Sequence, residues 1–289
     1  MFLSVITPTF NRAHTLKRCY DSLCAQTDKD FEWIVVDDGS SDTTRELISG
    51  FILENIIPIR YFYQENGGKQ RAHNRGVYNA LGEMCVCVDS DDALTPRAVE
   101  IARATWYARG DSRAIGILAK RGDFEKSKPI CTDWPDGLKE SPMMELQYKY
   151  NFSGDTVLFF DSAALKEHYF AEFEGEKFVP EDSLYAQLDE IGPMILLKDV
   201  LYLCEYLEGG LTSNYKRLLM NNPMGTAYCY YCRMISAKKL SIKLKNAIVS
   251  ESYLSLSGKK AAYEKKKGRF LLLIAKLAVP IYRRIKIGG

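Results

Sequence analysis

At 289 residues and 32.9 kDa, the chain has room for one large domain or for a domain with an appendage. Its 46% hydrophobic and 26% charged residues are ordinary for a soluble globular protein. The net charge of +2 conceals a split, because residues 258–289 hold ten Lys/Arg and one Glu, a net +9, which leaves −7 on the other 257 residues. An acidic body with a basic tail excludes a general nucleic-acid binder and directs the tail to an anionic surface.

Taken in chain order, Leu3–Thr7 is a β-branched run closed by Pro8 and reads as a strand. Met1–Val5 leads straight into it, so no signal peptide is expected. Leu16, Cys19, Tyr20 and Leu23 have helical spacing over 15–26. Phe31–Val36 is a second strand, ending in Asp37-Asp38-Gly39-Ser40. Thr43 and Glu46 form a capping-box pattern that opens a helix to Leu53. Ile59–Tyr63 is a strand, Gln70–Ala80 a helix stopped by Gly82, and Met84–Val88 a strand. Thr95-Pro96 predicts an N-cap with proline at the first helical position, the helix running to Ala108. Beyond residue 110 the rhythm changes. Ala114–Ala119 and Thr156–Phe160 read as strands separated by an irregular stretch over 122–150. Leu184–Asp189 reads as a short helix, Ile195–Tyr206 as a strand, and the chain from Thr212 onward as helical.

Strand and helix alternating every 20–30 residues predict right-handed βαβ units and a mostly parallel sheet, in which ligands bind beyond the carboxyl ends of the strands. The polar clusters fall at those ends: Pro8-Thr9-Phe10-Asn11, Asp37-Asp38, and Asp89-Ser90-Asp91-Asp92. Three carboxylates after a buried strand are costly unless a cation uses them. Hard oxygen donors at a rigid strand tip suit Mg²⁺ or Mn²⁺ carrying a phosphate, while a polar turn before a helix is the plainer alternative. The first strand exit lacks the glycine pattern of a dinucleotide fold, and Gly67-Gly68-Lys69 lacks the rest of a phosphate loop. The eight cysteines are scattered, and reduced thiols in a cytosol-facing protein account for them. Cys229 and Cys232 have metal-knuckle spacing, but no second pair follows, so buried thiols on an aromatic helix are expected.

Ser4-Val5-Ile6-Thr7-Pro8-Thr9-Phe10-Asn11-Arg12, Val35–Asp42 with its Asp37-Asp38, Asn66-Gly67-Gly68-Lys69 with Asn74 and Gly76, and Asp89–Asp92 together resemble family 2 glycosyltransferases. The resemblance covers residues 1–215 and implies a GT-A fold with inverting, metal-dependent sugar transfer. It implies that Asp38 contacts the base, that Phe10 lies against the base (or is a core residue), and that Pro8 and Thr9 approach base and ribose, with Asn11 beside them. Asp91 matches the metal-binding Asp, with Asp89 and Ser90 by ribose and metal. Asp92 either caps the turn or touches ligand. Lys69 and Asn74 belong to a region that approaches the donor, a solvated lysine being the alternative for Lys69. Asp182, in Glu181-Asp182, matches the base that deprotonates the acceptor, where a helix cap is the alternative.

The resemblance implies a catalytic domain over 1–215, with a nucleotide-binding half at 1–110 and an acceptor-binding half at 111–215. A helical extension over 216–289 follows. The expected donor is a nucleotide sugar, a UDP-sugar in particular, and the expected acceptor a lipid-linked glycan of a surface polysaccharide. The thirteen residues Phe270–Tyr282 are too few to span a bilayer. Flanked by Lys265-Lys266-Lys267, Arg269, Arg283-Arg284 and Lys286, they suit a helix lying in an anionic leaflet, which predicts a peripheral protein on the cytoplasmic face of the inner membrane. A sugar-nucleotide nucleotidyltransferase and a non-catalytic scaffold on the same fold are the rival expectations.

Overall fold

A computed structural model describes residues 1–125, 128–205, 214–265 and 267–284. The expectations that concern Tyr206, Thr212, Lys266 and Lys286 lie outside the described residues. The chain divides into two compact units, one of Met1–His168 with Ile191–Tyr206, the other of Tyr169–Glu190 with Leu207–Gly289.

The first unit opens with β1 (Leu3–Thr9), α1 (Leu16–Cys24), β2 (Phe31–Asp37), α2 (Thr44–Glu54), β3 (Ile59–Tyr63), α3 (Lys69–Asn79) and β4 (Met84–Cys87). It continues through β5 (Ala93–Leu94), α4 (Ala98–Tyr107), β6 (Gly116–Asp123), β7 (Glu140–Ser141), α5 (Met143–Tyr150), β8 (Thr156–Asp161) and α6 (Ser162–Lys166). The second unit contributes α7 (Asp182–Leu188), after which the chain returns to the first with β9 (Met194–Cys204). The second unit then continues with α8 (Tyr215–Asn221), α9 (Pro223–Ser236), α10 (Leu240–Ser257) and α11 (Arg269–Tyr282).

Among the described residues, nine strands form one sheet ordered β3-β2-β1-β4-β8-β6-β9-β5, with β7 also on β9. Strands β3, β2, β1 and β4 are parallel neighbours; β8 is antiparallel to β4 and β6, and β9 is parallel to β6. The short β5 and β7 pair antiparallel with β9. This is the expected α/β sheet, with antiparallel strands grafted onto its second half. Every residue of β1 and β2 is buried, as in strands covered on both faces, whereas the edge strand β3 is half-exposed. The core of this unit runs from Phe2, Leu3 and Val5 through Trp33, Val35, Val86 and Trp106 to Phe159 and Leu201. The second unit has cores of its own, around Leu219, Ala227, Val249 and Tyr253, and around Phe173, Val179 and Met224.

Several local expectations need correction. Thr43 stands at the N-cap of α2 but makes no capping bond; the Asp42 side chain accepts from the Thr44 N–H at 3.0 Å instead. Helix α4 starts at Ala98, two residues beyond Pro96, because the Thr95 N–H and hydroxyl are taken by the β9 carbonyls of Leu201 and Val200. The stretch 122–150 is not wholly irregular, since it contains β7 and α5, the latter closed by Asn151 at φ 54°. The α7 helix begins at Asp182 rather than Leu184. Helix α6 was missed, although Asp161 caps it by accepting from the Ala163 and Ala164 N–H groups.

Candidate functional site

Strand register brings three polar exits to one edge of the sheet. Thr9 pairs with Asp37, Ile6 pairs with Cys87, and the Val88 N–H donates to the Ile6 carbonyl at 2.9 Å. The β1 exit, the β2 exit and Asp89–Asp92 therefore lie side by side, with Pro8 and Thr9 buried at the end of β1. The Thr9 Oγ1 is buried without a hydrogen-bond partner. Phe10, directly after it, is 47% exposed, so it is not a core residue. Asn11 adopts φ 53° and ties the two exits together. Its N–H donates to Ser40 Oγ at 2.8 Å, and its Oδ1 accepts from the Ser41 N–H at 2.8 Å.

Asp38 is 3% exposed and turned toward its own neighbourhood. Its Oδ1 accepts from Gln64 Nε2 at 2.7 Å and the Gly67 N–H at 2.9 Å. Its Oδ2 accepts from the Gly68 N–H at 2.7 Å and Asn66 Nδ2 at 3.1 Å. A carboxyl group offers about four lone-pair sites, so these four donors fill its capacity. Asp37 accepts at each oxygen, from the Ser40 N–H at 2.8 Å and from the Tyr61 hydroxyl at 2.7 Å. Gly39 makes the crossing possible: at φ 86° it passes Asn66 so closely that a Cβ would lie 2.9 Å from the Asn66 nitrogen.

The loop held by Asp38 ends at Gly68, the N-cap of α3, and delivers Lys69 to Asp89, with Nζ 2.7 Å from Oδ1. Burial pushes the Asp89 carboxyl up, but the charges of Lys69 and Arg121, the Lys69 hydrogen bond and the charge of His73 together hold it below the usual carboxylate range. Asn74 is buried one turn further along α3. Ser90 is buried, whereas Asp91 is partly exposed, with its carbonyl accepting from Arg18 Nη1 at 3.1 Å.

Asp92 points inward, where it accepts from the Tyr202 hydroxyl at 2.6 Å. Burial first, then the charge of Asp89, push its carboxyl up to about 7, against the Tyr202 hydrogen bond. The same hydroxyl accepts from the Asp89 N–H at 3.0 Å, so Tyr202 fastens both ends of the acidic turn. Tyr202 itself is fully buried under the Arg121 guanidinium, 4.2 Å from its ring centre. Sequence reasoning missed both residues. They come from β9 and β6, far from the turn in sequence, and belong to no motif.

Mg²⁺ or Mn²⁺ carried by a diphosphate uses one or two protein carboxylates and fills its shell with phosphate oxygens and water. Asp91 is accessible and Asp89 is kept in its ionised form, the form that binds metal, so the residues present fit such an ion. Asp92 fits least. Among the described residues, no group of three or more His, Cys, Asp or Glu would hold a metal by itself. Cys229 and Cys232 are buried on α9, where burial pushes the Cys232 thiol up to about 12 and the Cys229 thiol well above its ordinary value. They are buried free thiols, as the sequence predicts.

In the second unit, Asp182 is the first residue of α7, and no side-chain hydrogen bond caps that helix. Its Oδ2 lies 3.2 Å from Arg233 Nη1 on α9. Burial pushes the Asp182 carboxyl up, Arg233 opposes this, and Glu181 adds to it; the net direction is upward. Glu176 accepts from the Met224 and Gly225 N–H groups, both at 2.8 Å, at the start of α9.

The acidic and basic groups of this mixed α/β sheet gather at its carboxyl edge, where open α/β sheets bind their ligands. Residues 4–170 match glycosyl transferase family 2, and the chain belongs to that family. Over 222 residues it is 36% identical to the glycosyltransferase GlyG of Streptococcus pneumoniae serotype 4, covering 72% of each chain. Over 99 residues it is 39% identical to an uncharacterized glycosyltransferase of Rickettsia felis, a match spanning 34% of this chain but 16% of that relative's length. Its fold is similar to S. aureus TarS 1-349 in complex with UDP-GlcNAc, with TM-score 0.65, 18% identity, and 95% of this chain and 79% of that one covered. It is also similar to the mannosyltransferase PcManGT of Pyrobaculum calidifontis in complex with GDP-Man and Mn²⁺, with TM-score 0.55, 16% identity, and 98% and 82% covered. The fold is therefore GT-A.

Proposed function

We propose that the protein is an inverting glycosyltransferase. It moves one sugar from a nucleotide-sugar donor, a UDP-sugar in our reading, to a hydroxyl of a growing glycan carried on a lipid. The observation that carries this is the Lys69–Asp89 ion pair, with the partly exposed Asp91 in the same turn and the exposed Phe10 at the neighbouring strand exit. TarS binding UDP-GlcNAc and PcManGT binding GDP-Man with Mn²⁺ support a donor of this class.

In this reading Phe10 packs on the base and the unpartnered Thr9 hydroxyl meets base or ribose. Asp38 serves recognition by holding residues 64–68 in place, and a direct contact to the base requires it to release one of its four donors. Pro8, Asn11, Ser90 and Asn74 complete the donor side. Asp91, with Asp89, would hold Mn²⁺ or Mg²⁺, which when bound neutralises charge on the departing diphosphate. Asp182 takes the proton of the acceptor hydroxyl as its oxygen bonds to the anomeric carbon. The bond from that carbon to the diphosphate breaks with its electron pair on the leaving oxygen. Residues 1–215 form the catalytic part, the basic tail meets an anionic membrane, and the protein works at the cytoplasmic face of the inner membrane.

Two measurements test this. UDP should bind in calorimetry only weakly without Mn²⁺; absent or metal-independent binding overturns the donor-site reading and favours a scaffold. Asp182→Asn should lower transfer by on the order of 10²–10⁴-fold and leave UDP binding intact, and preserved turnover removes Asp182 as base. Because the base works deprotonated and its carboxyl is pushed up, kcat should fall on acidification at a higher pH than an ordinary carboxylate gives.

A further inference from the structure

Helix α11 carries two apolar faces, although its sequence resembles a single basic-flanked amphipathic segment. Leu272 and Ala275 are buried at 3% and 0% on the side that packs in the second unit, where α10 is its neighbour. Phe270, Leu273, Ile274, Leu277 and Ile281 are exposed by 75%, 62%, 41%, 81% and 65%. At about 100° per residue these five fall within an arc of roughly 100°, turned away from the buried side. Scattered single apolar residues on a surface are ordinary, but five on one helical stripe are a continuous patch. Lys276 and Arg269 lie along one border of the stripe, and Arg284 is exposed at its end.

The basic residues around this helix are partly used inside the protein. Lys265 is bonded to Glu251, Lys267 lies 4.0 Å from Glu190, and Arg283 donates to Ser255 Oγ at 3.1 Å. Fewer charges are thus left for an anionic surface than the tail's sequence suggests, while the five apolar side chains of the stripe stay exposed. A second copy of this chain is a poor occupant for the stripe, because it would bring two tails of net +9 together. An anionic lipid surface meets both requirements: its acyl boundary receives the apolar stripe and its headgroups receive Arg269, Lys276 and Arg284. No helix among the described residues is long and apolar enough to cross a membrane.

The geometry points to α11 as an interfacial anchor that binds an anionic bilayer by inserting the Phe270–Leu273–Ile274–Leu277–Ile281 stripe, with the surrounding cations in support. The inference deepens the reading of the tail as a membrane contact and rests on it. A helix of 14 residues is about 21 Å long and lies in the plane of the leaflet.

The test uses the full chain and flotation with vesicles of phosphatidylcholine plus phosphatidylglycerol, and of phosphatidylcholine alone. The wild type should float with the anionic vesicles and keep a substantial part of that binding at about 1 M NaCl, where the Debye length is about 3 Å. Leu273→Ser with Leu277→Ser should lower partitioning by on the order of tenfold or more while circular dichroism and melting stay unchanged, since both side chains are exposed. Binding by the double variant equal to wild type overturns the proposal, as does complete loss at high salt or absence of binding to anionic vesicles. A dimer in sedimentation velocity that the double variant dissolves would assign the stripe to a second copy and overturn it as well. UDP calorimetry on the same preparations separates the two readings: normal UDP binding without flotation sinks the anchor alone, and flotation without UDP binding sinks the donor site alone.

Discussion

Tyr202 shows how much of the acidic turn depends on one oxygen. It accepts from the Asp89 N–H and donates to Asp92 from a fully buried position. Tyr202→Phe keeps the ring and its contact with Arg121 but leaves a buried backbone N–H and a buried carboxyl without that partner. The expected loss of stability is about 1–3 kcal/mol in urea unfolding, with weaker UDP–Mn²⁺ binding in calorimetry. An unchanged denaturation midpoint would show that water satisfies both groups. Chain order made the acids themselves legible, because each follows an apolar run that had to be a strand. It could not reveal their orientation: Asp38 and Asp92 look as available as Asp91 in one dimension, yet Asp38 is filled by four donors and Asp92 is drawn inward by Tyr202. Arg233, the partner of Asp182, was likewise hidden, since it belongs to no motif and lies about fifty residues further along the chain.

Gly76 decides how α3 meets the sheet. A Cβ there would lie 2.3 Å from Ile6 Cγ2, so the helix carrying Lys69 and Asn74 lies close against β1 only because the position is glycine. Gly76→Val should cost about 1–3 kcal/mol by overpacking and weaken UDP binding through displacement of α3. Adding Ile6→Ala should recover part of both, and a double variant no better than the single one would refute the contact as cause. The periodic elements were legible because burial imposes period two or 3.6 on them. Strands β5 and β7 were not, since two residues show no period; each exists through pairing with β9. The late start of α4 has the same origin: local proline chemistry favoured Pro96, and the β9 carbonyls claimed Thr95.

In the proposed function, the whole molecule ties its stability to its ligand. A donor product that binds only the folded state should raise the melting midpoint, by about 2.7 kcal/mol of stabilisation at a hundredfold excess over Kd. Differential scanning fluorimetry with UDP, with and without Mn²⁺, should show a shift that needs the metal and that Asp91→Ala removes; an equal shift in the variant would exclude Asp91 as ligand. The α/β class was legible at this scale from alternation alone. The division into units was not, because composition does not change at residue 169 or 191, where the chain passes between them. That path bears on recombination. The second unit is made of two separate stretches of sequence, 169–190 and the part after 206, and Asp182 on the first takes its arginine partner from the second. A single crossover cannot transplant it. A chimera cut once near residue 215 inherits α7 from one parent and Arg233 from the other. Exchange between relatives that respects this chain must therefore move the short insert and the long tail together, as one heritable pair.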